Sequence, residues 1–494
     1  MQQTRDLKLA ILFFLAVLSL FLWNSTKLKR EVPVIPVPIK APVNADRDFV
    51  FHETPISFLH KSKKAKAGFD KVEEDEDTQI NMKPGTCVVE EWNKVQTDSI
   101  PNQEKHDEWL AKSINNRSYL YHLTLSPLAA FVYEKHITVT LTSENKYAKT
   151  VYCRYFDCNR NELPQPFKAR VFPESTVYCG RRVGAEYMSV TETVDAVPET
   201  PVPIQRRNWE VPKHYFTVCM ATLYGEEPKF LQIVDFIEYH KLQGATFFHI
   251  YLRNASAYDR MLLDDYVRTG EIELIVLNDH YWRADFMWHM MQINDCHMRS
   301  QNFAKWTAFV DIDERIEVKG EKDRVIDYLE TVKDANVNSL QFSVQWVLKE
   351  EPTPARYESD QQLIDNMIFR KYHNTSQIAS PNTQPKCIIR PERIGAMTIH
   401  GPMAVYKGYI QTLVNTTAGV IRHYRNVRGG ALYKNNERAF TMGPFYLTSV
   451  EPKLEQKLTE NILARVKNVY DTVKVSCYEM NVMYGKHGGL RTDC

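Results

Sequence analysis

The 494-residue sequence lacks an excess of charge of either sign. Lys and Arg total 62 against 61 for Asp and Glu, so the formal net charge is +1. Nucleic-acid binding needs clustered positive charge that neutralises phosphates. The near balance therefore argues against nucleic acid as a partner. With 44% hydrophobic residues, the chain still has enough apolar material for one large core or two ordinary domains.

The sequence also lacks the paired cysteines of a zinc knuckle. No two cysteines form a CxxC pair, and no Cys/His spacing is typical of zinc ligands. Disulfides together with one or two buried thiols are the better interpretation, and an odd number leaves at least one thiol unpaired or intermolecular. The pairing stays open among nine cysteines: Cys87, Cys153, Cys158, Cys179, Cys219, Cys296, Cys387, Cys477 and Cys494.

Long apolar runs are absent after residue 26, but one precedes it. No charged residue occurs between Leu9 and Thr26, a length close to the ~20 residues that span a bilayer. The bulky residues before Asn24 offer no small-residue cleavage site. We therefore predict a signal anchor at 9–26 with a short tail at 1–8; a cleaved signal peptide is the competing interpretation.

Sequons for N-glycosylation favour a luminal position for the rest of the chain. Such triplets arise by chance, but together with nine cysteines they indicate a secretory compartment. The predicted glycosylation sites are Asn116, Asn254, Asn374 and Asn415.

Composition divides the luminal part into four segments. Residues 27–113 hold a Pro/Val tract and clusters of charge, which predicts a flexible stem. Residues 114–197 contain short alternating runs between turn residues, so we expect a small β-rich module stapled by some of Cys153, Cys158 and Cys179. A Pro-rich linker is predicted at 198–210, and a second domain at 211–494.

In this second domain, strands and helices alternate. Apolar runs predict strands, and apolar residues at i, i+3, i+4 and i+7 predict helices between them. The fold class is therefore α/β, with a mostly parallel sheet that has helices on both faces. Ligands of such sheets bind at the carboxyl ends of the strands. The predicted strands are 215–220, 246–252, 271–277 and 306–310, and the predicted helices lie near 228–243, 258–268 and 287–302.

An acidic turn follows the fourth predicted strand. Asp311, Asp313 and Glu314 would repel one another unless a cation lies between them. Carboxylate oxygens suit Mn²⁺ or Mg²⁺, which commonly bridge protein to substrate phosphates. Such an ion would neutralise charge on a departing diphosphate. We therefore predict a metal and sugar-nucleotide site here, although the same triplet elsewhere would be an ordinary exposed turn.

Several blocks around this turn resemble glycosyltransferase family 92. The resemblance covers roughly residues 215–477 and implies a GT-A fold, a UDP-galactose donor, manganese and inversion at the anomeric carbon. It also implies a glycoprotein N-glycan acceptor, with β-1,4 transfer to core fucose, in a type II Golgi membrane protein. The blocks are 236–245, 250–252, 292–296, 305–306, 311–314 and 423–425, together with His400.

The resemblance assigns the donor residues. Asp311 and Asp313 should hold the metal, with Asp313 the more direct ligand and Asp311 nearer the ribose. Thr222 and Tyr224, just after the first strand, lie where the fold would place uracil and ribose, although ordinary turn residues would look the same.

Three further groups of candidates complete the predicted site. Asp295 and Arg299 lie one helical turn apart and either pair with each other or reach the nucleotide. His400 and His423 are candidates for a third metal ligand. An inverting transfer also needs a general base near the acceptor hydroxyl, for which the candidates that follow predicted strands are Glu350, Glu351 and Glu392.

Two other functions remain open from sequence. A membrane-anchored lectin-like protein could keep the fold without turnover, and a transferase could use a different UDP-sugar. A metal phosphohydrolase would need more converging carboxylate or His ligands than can be identified.

Overall fold

The structure, a computed structural model, describes residues 87–114, 125–142, 148–277, 288–320, 324–350, 352–426 and 444–472. All of them fall within one compact unit, residues 81–494. Within these ranges, no helix combines the length and apolar character needed to cross a bilayer. The predicted tail and anchor, at 1–8 and 9–26, and the first part of the predicted stem lie outside the described residues.

Residues 87–113 are folded, so the predicted stem extends too far. Cys87 forms a disulfide with Cys158, and helix α1 (Gln103–Ile114) buries Leu110. A short 3-10 turn at Glu91–Asn93 precedes it. The prediction failed because the charged tract before residue 80 dominates the composition, whereas one disulfide and a few apolar side chains suffice to fix this segment.

The β-rich module is a seven-stranded sheet with the order β4-β3-β6-β7-β1-β2-β5. The disulfide Cys153–Cys179 lies in its core, so the predicted cysteine staples are confirmed. Strand β7, the last strand of the module along the chain, lies inside the segment 198–210 that was expected to be a Pro-rich linker. The strands are β1 (Pro127–Val132), β2 (Ile137–Leu141), β3 (Thr150–Phe156), β4 (Glu162–Arg170), β5 (Thr176–Cys179), β6 (Tyr187–Thr191) and β7 (Val202–Arg206).

The rest of the described chain is a mixed α/β arrangement, as predicted. Its strands are β8 (His214–Leu223), β9 (Phe247–Leu252), β10 (Ile272–Val276), β11 (Ala304–Val310), β12 (Glu314–Val318), β13 (Val337–Phe342), β14 (Val344–Lys349), β15 (Asn374–Ile378), β16 (Lys386–Ile389), β17 (Ile394–Thr398), β18 (Gly401–Val405), β19 (Ile410–Leu413), β20 (Gly419–Asn426) and β21 (Tyr446–Leu447). Its helices are α2 (Phe230–Leu242), α3 (Ala257–Arg268), α4 (Trp288–Ser300), α5 (Val325–Thr331), α6 (Asp360–Asn366), α7 (Ile368–Lys371) and α8 (Pro452–Lys467), with a 3-10 turn at Pro391–Arg393 and a π turn at Asn468–Thr472.

The main sheet has the order β10-β9-β8-β11-β16-β13-β19. The first four of these strands are parallel, and β16 is antiparallel to both of its neighbours. A second sheet, β12-β20-β14-β15-β21, continues from the acidic turn, because β12 begins at Glu314. Strands β17 and β18 form a separate antiparallel pair.

Helices cover both faces of the main sheet. On one face, α2 and α3 join the large core, where Phe230, Ile233 and Ile237 are fully buried at helical spacing. On the other face, α4 packs with Trp288 and Met291 in a separate core cluster. Helix α4 also contacts the β-rich module, where Tyr133 donates a hydrogen bond to the carbonyl of Met298.

Local chemistry sets the ends of α2. The carboxylate of Asp259 accepts hydrogen bonds from the backbone N–H groups of Lys229 and Phe230, and so caps the start of the helix. The chain leaves α2 through Gly244, whose φ is +97°. A Cβ there would lie 2.4 Å from Ile326, so both conformation and space require glycine.

Candidate active site

A cavity of about 360 Å³ opens at the carboxyl ends of β8 and β11. Its size lies within the range of about 300 to 1,000 Å³ of small-ligand sites. Residues 221–224 form one wall and Asp311 to Asp313 another, while Lys349 and Arg425 approach from the second sheet. The cavity therefore combines residues at the carboxyl ends of four different strands.

The cavity lies where the order of the main sheet reverses. From β8 the chain steps outward to β9 and β10, and then returns to place β11 on the other side of β8. Loops that leave two such neighbouring strands diverge to opposite faces, which opens a crevice at their carboxyl ends. Thr222 lies at the carboxyl end of β8, and Asp311 directly follows β11. The topology alone thus brings together residues 89 positions apart.

The acidic turn is held in one conformation by backbone hydrogen bonds. The N–H of Asp311 donates to Glu314 Oε2 at 2.8 Å, and the N–H of Glu314 donates to the carbonyl of Asp311 at 3.0 Å. Arg315 donates to the carbonyl of Ile312 at 2.7 Å, and it also pairs with the buried carboxylate of Asp235 on α2. The carboxylates of Asp311 and Asp313 are thereby presented by a rigid support.

Lys386 is a buried cation beside the turn that the sequence did not reveal. It begins β16, whose antiparallel pairing with β11 brings this residue next to Asp311. Its Nζ lies 3.0 Å from Asp311 Oδ1 and 3.5 Å from Glu314 Oε2. One side of the carboxylate cluster is thus neutralised by the protein itself.

His423 lies against the other side of the cluster. Strand β20 pairs with β12 so that His423 is opposite Glu314, and its Nε2 is 3.3 Å from Asp313 Oδ2. Within the described residues, this nitrogen is buried and has no well-aligned hydrogen-bond partner. A lone pair or proton of His423 therefore faces the carboxylate of Asp313 without a conventional bond.

The charges of the cluster shift each other's pKa. Burial acts to raise the pKa of Asp313, but His423, Arg425 and Lys386 together hold it well below the usual range. Burial acts to lower the pKa of His423, yet Asp313 and Glu314 raise it above the usual value. Burial raises the pKa of Glu314 to about 7, against the opposing charge of Lys386. The turn thus presents ionised aspartates at neutral pH.

Asp313 and His423 have the geometry expected of two ligands of one divalent ion. Neighbouring ligands of an octahedral ion with bonds of ~2.1 Å lie ~3 Å apart, close to the observed 3.3 Å. A carboxylate and an imidazole suit Mn²⁺. Asp311 is engaged by Lys386, so Asp313 and His423 are the better-placed pair.

Another group, away from this turn, has metal-ligand geometry. In the described part of the chain, Cys219, His249 and Cys296 are the one set of three whose ligand atoms lie within 4.8 Å of one another. Its two cysteines form a disulfide with each other. Thiolate ligands are therefore lacking, and no metal site results.

Thr222 and Tyr224 both line the cavity. Tyr224 is partly exposed, and Thr222 is buried with a hydroxyl that has no hydrogen-bond partner among the described residues. A buried hydroxyl without a partner is costly unless a ligand or water satisfies it. The prediction that Thr222 contacts the nucleotide is consistent with this position.

Asp295 and Arg299 do not reach the cavity, and that prediction is wrong. Both are buried on α4 between the main sheet and the β-rich module. Asp295 accepts hydrogen bonds from Thr140, Tyr251 and Arg299 at 2.5, 2.5 and 2.9 Å. Of the two alternatives, the helix salt bridge applies, and neither residue is among those that line the cavity.

The candidates for general base lie in different places. Glu350 is exposed and follows β14 at the same edge as the cavity, whereas Glu351 lies outside the described residues. Glu392 follows β16, which runs antiparallel to β11, so it lies at the opposite edge of the sheet and pairs with Arg393. Glu392 is therefore excluded as a base for this site.

Of the two histidine candidates, His423 rather than His400 contacts the turn. His400 is exposed, and its Nδ1 lies 3.2 Å from the carbonyl of Pro385. Burial lowers the pKa of His400, and the nearby positive charge of Lys386 lowers it further. His400 thus lies at the rim of the site. Among the described contacts, it is His423 and not His400 that lies against Asp313.

The predicted glycosylation sites differ in accessibility. Asn374 and Asn415 are exposed, Asn254 is half-buried, and Asn116 lies outside the described residues. The sequon hydroxyl of Ser256, two residues after Asn254, caps helix α3. Glycosylation at each site remains a prediction.

Sequence reasoning missed four basic residues at the site. His289 lies 3.7 Å from Asp311, while Lys349 and Arg425 line the cavity with it, and Lys386 contacts the turn. Arg425 belongs to a block that had been recognised as family-like, which was the available signal. The other three reach the site through helix or strand packing that no local pattern records.

Comparison with known proteins defines the class of this domain as a glycosyltransferase. The profile described as "Glycosyltransferase family 92" matches residues 214–458. The chain belongs to this family, as the sequence blocks predicted.

One curated relative is Beta-1,4-galactosyltransferase galt-1 of Caenorhabditis elegans. It is 25% identical over 221 residues, which are 42% of this chain and 48% of the relative. The chain thus spans about half the length of that curated relative.

Solved structures with a partial likeness include S. aureus TarS 1-349 in complex with UDP-GlcNAc and HddC from Yersinia pseudotuberculosis. The first is 10% identical, with a TM-score of 0.26, over 55% of this chain and 71% of the other. The second is 12% identical, with a TM-score of 0.22, over 50% of this chain and 98% of the other. At these scores neither likeness carries an argument about this chain.

Proposed function

We propose that this chain transfers galactose from UDP-galactose to a glycan on glycoproteins, with inversion at the anomeric carbon. The acceptor position proposed is core fucose of N-glycans, joined in β-1,4 linkage. The observation that carries the proposal is the Asp313–His423 pair at the reversal point of the sheet in a family 92 domain. The name of the curated relative supports the choice of galactose.

The donor would occupy the cavity between β8 and β11. Thr222 is placed to form a hydrogen bond with a polar atom of the nucleotide. Asp311 would face the nucleotide from the other wall of the cavity. Asp313 and His423 would hold Mn²⁺ or Mg²⁺, and such an ion, when bound, supplies Lewis-acid stabilisation of the diphosphate. Arg315 and Asp235 keep the turn in place, so the carboxylates need no rearrangement.

In the proposed transfer, the acceptor hydroxyl oxygen forms a bond to the anomeric carbon as the bond to the diphosphate breaks. The bonding electron pair leaves with UDP, and the hydroxyl proton passes to a base on the acceptor side. Glu350 remains a candidate, because it follows β14 at the edge where the cavity opens. Glu351, the next residue, stays a candidate from the sequence alone.

The proposed cellular position is the Golgi membrane in type II orientation. The apolar run at 9–26 and the sequons support it, as do three disulfides, which form and persist in an oxidising compartment. The catalytic domain would then face the lumen.

The test is a donor and acceptor screen with the full chain. UDP-galactose, UDP-glucose, UDP-GlcNAc and UDP-GalNAc are each offered with N-glycans that carry or lack core fucose, in Mn²⁺ and after chelation. We expect metal-dependent transfer from UDP-galactose to the fucosylated glycan, with a β linkage by NMR.

Three results would contradict the proposal in different ways. Transfer from another UDP-sugar would keep the enzyme class and replace the donor. Binding of glycan without turnover of any donor would favour the lectin-like alternative. Equal transfer with and without metal would remove the role given to Asp313 and His423.

A further inference from the structure

Lys349 is a buried lysine at the edge of the cavity. It ends β14, is 7% exposed and lines the cavity. Lysine is rarely buried without a partner, because an ammonium removed from water needs a counter-charge. In the residues the structure describes, its ammonium has neither a hydrogen bond nor an ion pair. The carboxylates of Asp313, Asp235 and Glu227 act on this ammonium from a distance and only partly offset burial, which lowers the pKa of Lys349. A ligand anion in the cavity would supply the contact partner that these carboxylates do not.

Arg425 repeats this pattern on the neighbouring strand. It lies on β20, beside Leu348 of β14, and lines the same cavity. Its guanidinium likewise forms no ion pair or hydrogen bond with described side chains. Burial raises the pKa of Asp313; His423 lowers it most, and the charge of Arg425 also lowers it. Two cations that form no contact ion pair with described side chains thus face one cavity.

The other lysines around the cavity are already engaged. Lys386 is 3.0 Å from Asp311, and the Nζ of Lys229 donates to the carbonyls of Gly225 and Glu227 at 2.9 and 2.6 Å. Neither needs an additional anion. The excess positive charge is therefore localised at Lys349 and Arg425.

The two cations also stand close to the proposed metal pair. The N–H of Tyr424 donates to the carbonyl of Asp313 at 2.8 Å, which fixes the end of β20 against the acidic turn. Val347 is opposite Tyr424 in the parallel register, and Lys349 is two residues further along β14. A ligand that bridges an ion at Asp313 to these cations would carry several negative oxygens in a short span.

We propose that Lys349 and Arg425 form an anion subsite that binds the diphosphate of the sugar-nucleotide donor. Phosphate oxygens would supply the missing counter-charges, since lysine binds phosphate as a point charge and arginine through a planar fork. The nucleotide identity rests on the proposed function, whereas the anion subsite rests on the two unpaired cations.

The test compares ligands that differ only in phosphate. Binding of UDP, UMP, uridine and inorganic pyrophosphate to the full chain is measured by calorimetry, for the native sequence and for Lys349→Met. We expect the substitution to weaken UDP and pyrophosphate by about 10- to 100-fold, the range for losing a charged hydrogen bond. Uridine binding should not change, and Lys349→Arg should retain most of the UDP affinity.

Lys333→Met is the matched control. Lys333 is exposed just before β13, at the opposite edge of the main sheet, so its removal changes net charge equally without touching the cavity. It should leave all four affinities unchanged. Arg425→Gln should weaken UDP less than Lys349→Met, because Arg425 is less buried.

The outcomes separate this inference from the proposed function. Pyrophosphate binding that depends on Lys349, without binding of uridine nucleotides, would keep the subsite and overturn the donor. UDP and pyrophosphate affinities that are unchanged in Lys349→Met would overturn the subsite, whether or not galactose is transferred. An equal loss for uridine and UDP would also overturn it, by showing a general effect on the fold. Lys349→Gln repeats the comparison if Lys349→Met does not fold.

Discussion

Two of the buried charged clusters in the described part of this domain differ in whether their polar atoms are satisfied. The first joins Asp295 and Arg299 on α4 to Tyr251 and Thr140, and each oxygen of Asp295 accepts a hydrogen bond. The second is the acidic turn with Lys386 and His423, where a buried imidazole nitrogen lacks an aligned partner. From the sequence, residues of both clusters are candidates for binding the donor. In the structure, only the second cluster opens onto the cavity.

The difference shows how to separate support from function. A paired network offers little to a ligand, because both oxygens of Asp295 accept hydrogen bonds and Arg299 donates to Asp295 and Glu273. Its value is to hold elements together: Thr140 on β2 and Tyr251 on β9 both donate to Asp295, so the network links the β-rich module to the main sheet. The acidic turn instead keeps unpaired capacity, which a metal and a diphosphate would fill.

The largest expected effect is that of Asp313→Ala. Removing this carboxylate should lower metal-dependent transfer on the order of 10³-fold, a loss comparable to removal of a key electrostatic group in an active site. The thermal midpoint should change little, since Asp313 is partly exposed and supports no packing. Transfer assays and thermal unfolding of the same preparation check both parts. Retained transfer would place the metal elsewhere.

The second effect is that of Asp295→Ala, which should lower stability and leave transfer nearly unchanged. The substitution leaves Arg299 buried with Glu273 as its remaining carboxylate, and breaking a buried ion pair costs about 3 to 5 kcal/mol. We expect a lower thermal midpoint and near-normal transfer per folded molecule, measured by thermal unfolding and by active-site titration. A selective loss of UDP affinity in folded protein would return Asp295 to the donor site.

The third effect concerns His423→Gln. We expect the Mn²⁺ concentration that supports half-maximal transfer to rise by about 10- to 100-fold, the scale seen when groups around a metal are altered. His400→Gln is the matched control, because His400 lies at the rim and bonds to Pro385. A larger change for His400 than for His423 would exchange their roles.

The smallest effect should come from Tyr251→Phe. This change removes one hydrogen bond to Asp295 while the ring stays buried, and bonds to charged groups contribute about 1.5 to 3 kcal/mol. The thermal midpoint should fall by less than in Asp295→Ala, with unchanged Mn²⁺ dependence. An equal fall in the two variants would mean that Tyr251 carries the whole network.

Prediction from sequence succeeded where the signal was local. Helix α2 was expected near 228–243 and covers Phe230–Leu242. The strand before Asp311 was expected from an apolar run at 306–310 and ends at Val310. Apolar spacing and turn residues report short-range structure directly. The acidic turn was found in the same way, because its residues are consecutive.

Prediction failed where contact depends on pairing between distant elements. Lys386 begins β16 and Glu392 follows it, yet only Lys386 reaches the turn, because β16 runs antiparallel to β11. Nothing within β16 specifies that direction. The same limit explains why residues 87–113 were assigned to the stem, since the disulfide to Cys158 joins them to a segment 71 residues away.

The sequence by itself determined the class of the domain, its alternating elements and the acidic turn at Asp311 to Asp313. Only the tertiary structure decided which charges meet that turn: His423 and Lys386 approach it, Asp295 and Arg299 turn away, and Lys349 faces the cavity without a partner. The physical reason is that local propensity acts over a few residues, whereas charge interactions depend on distance in space, which sheet pairing sets.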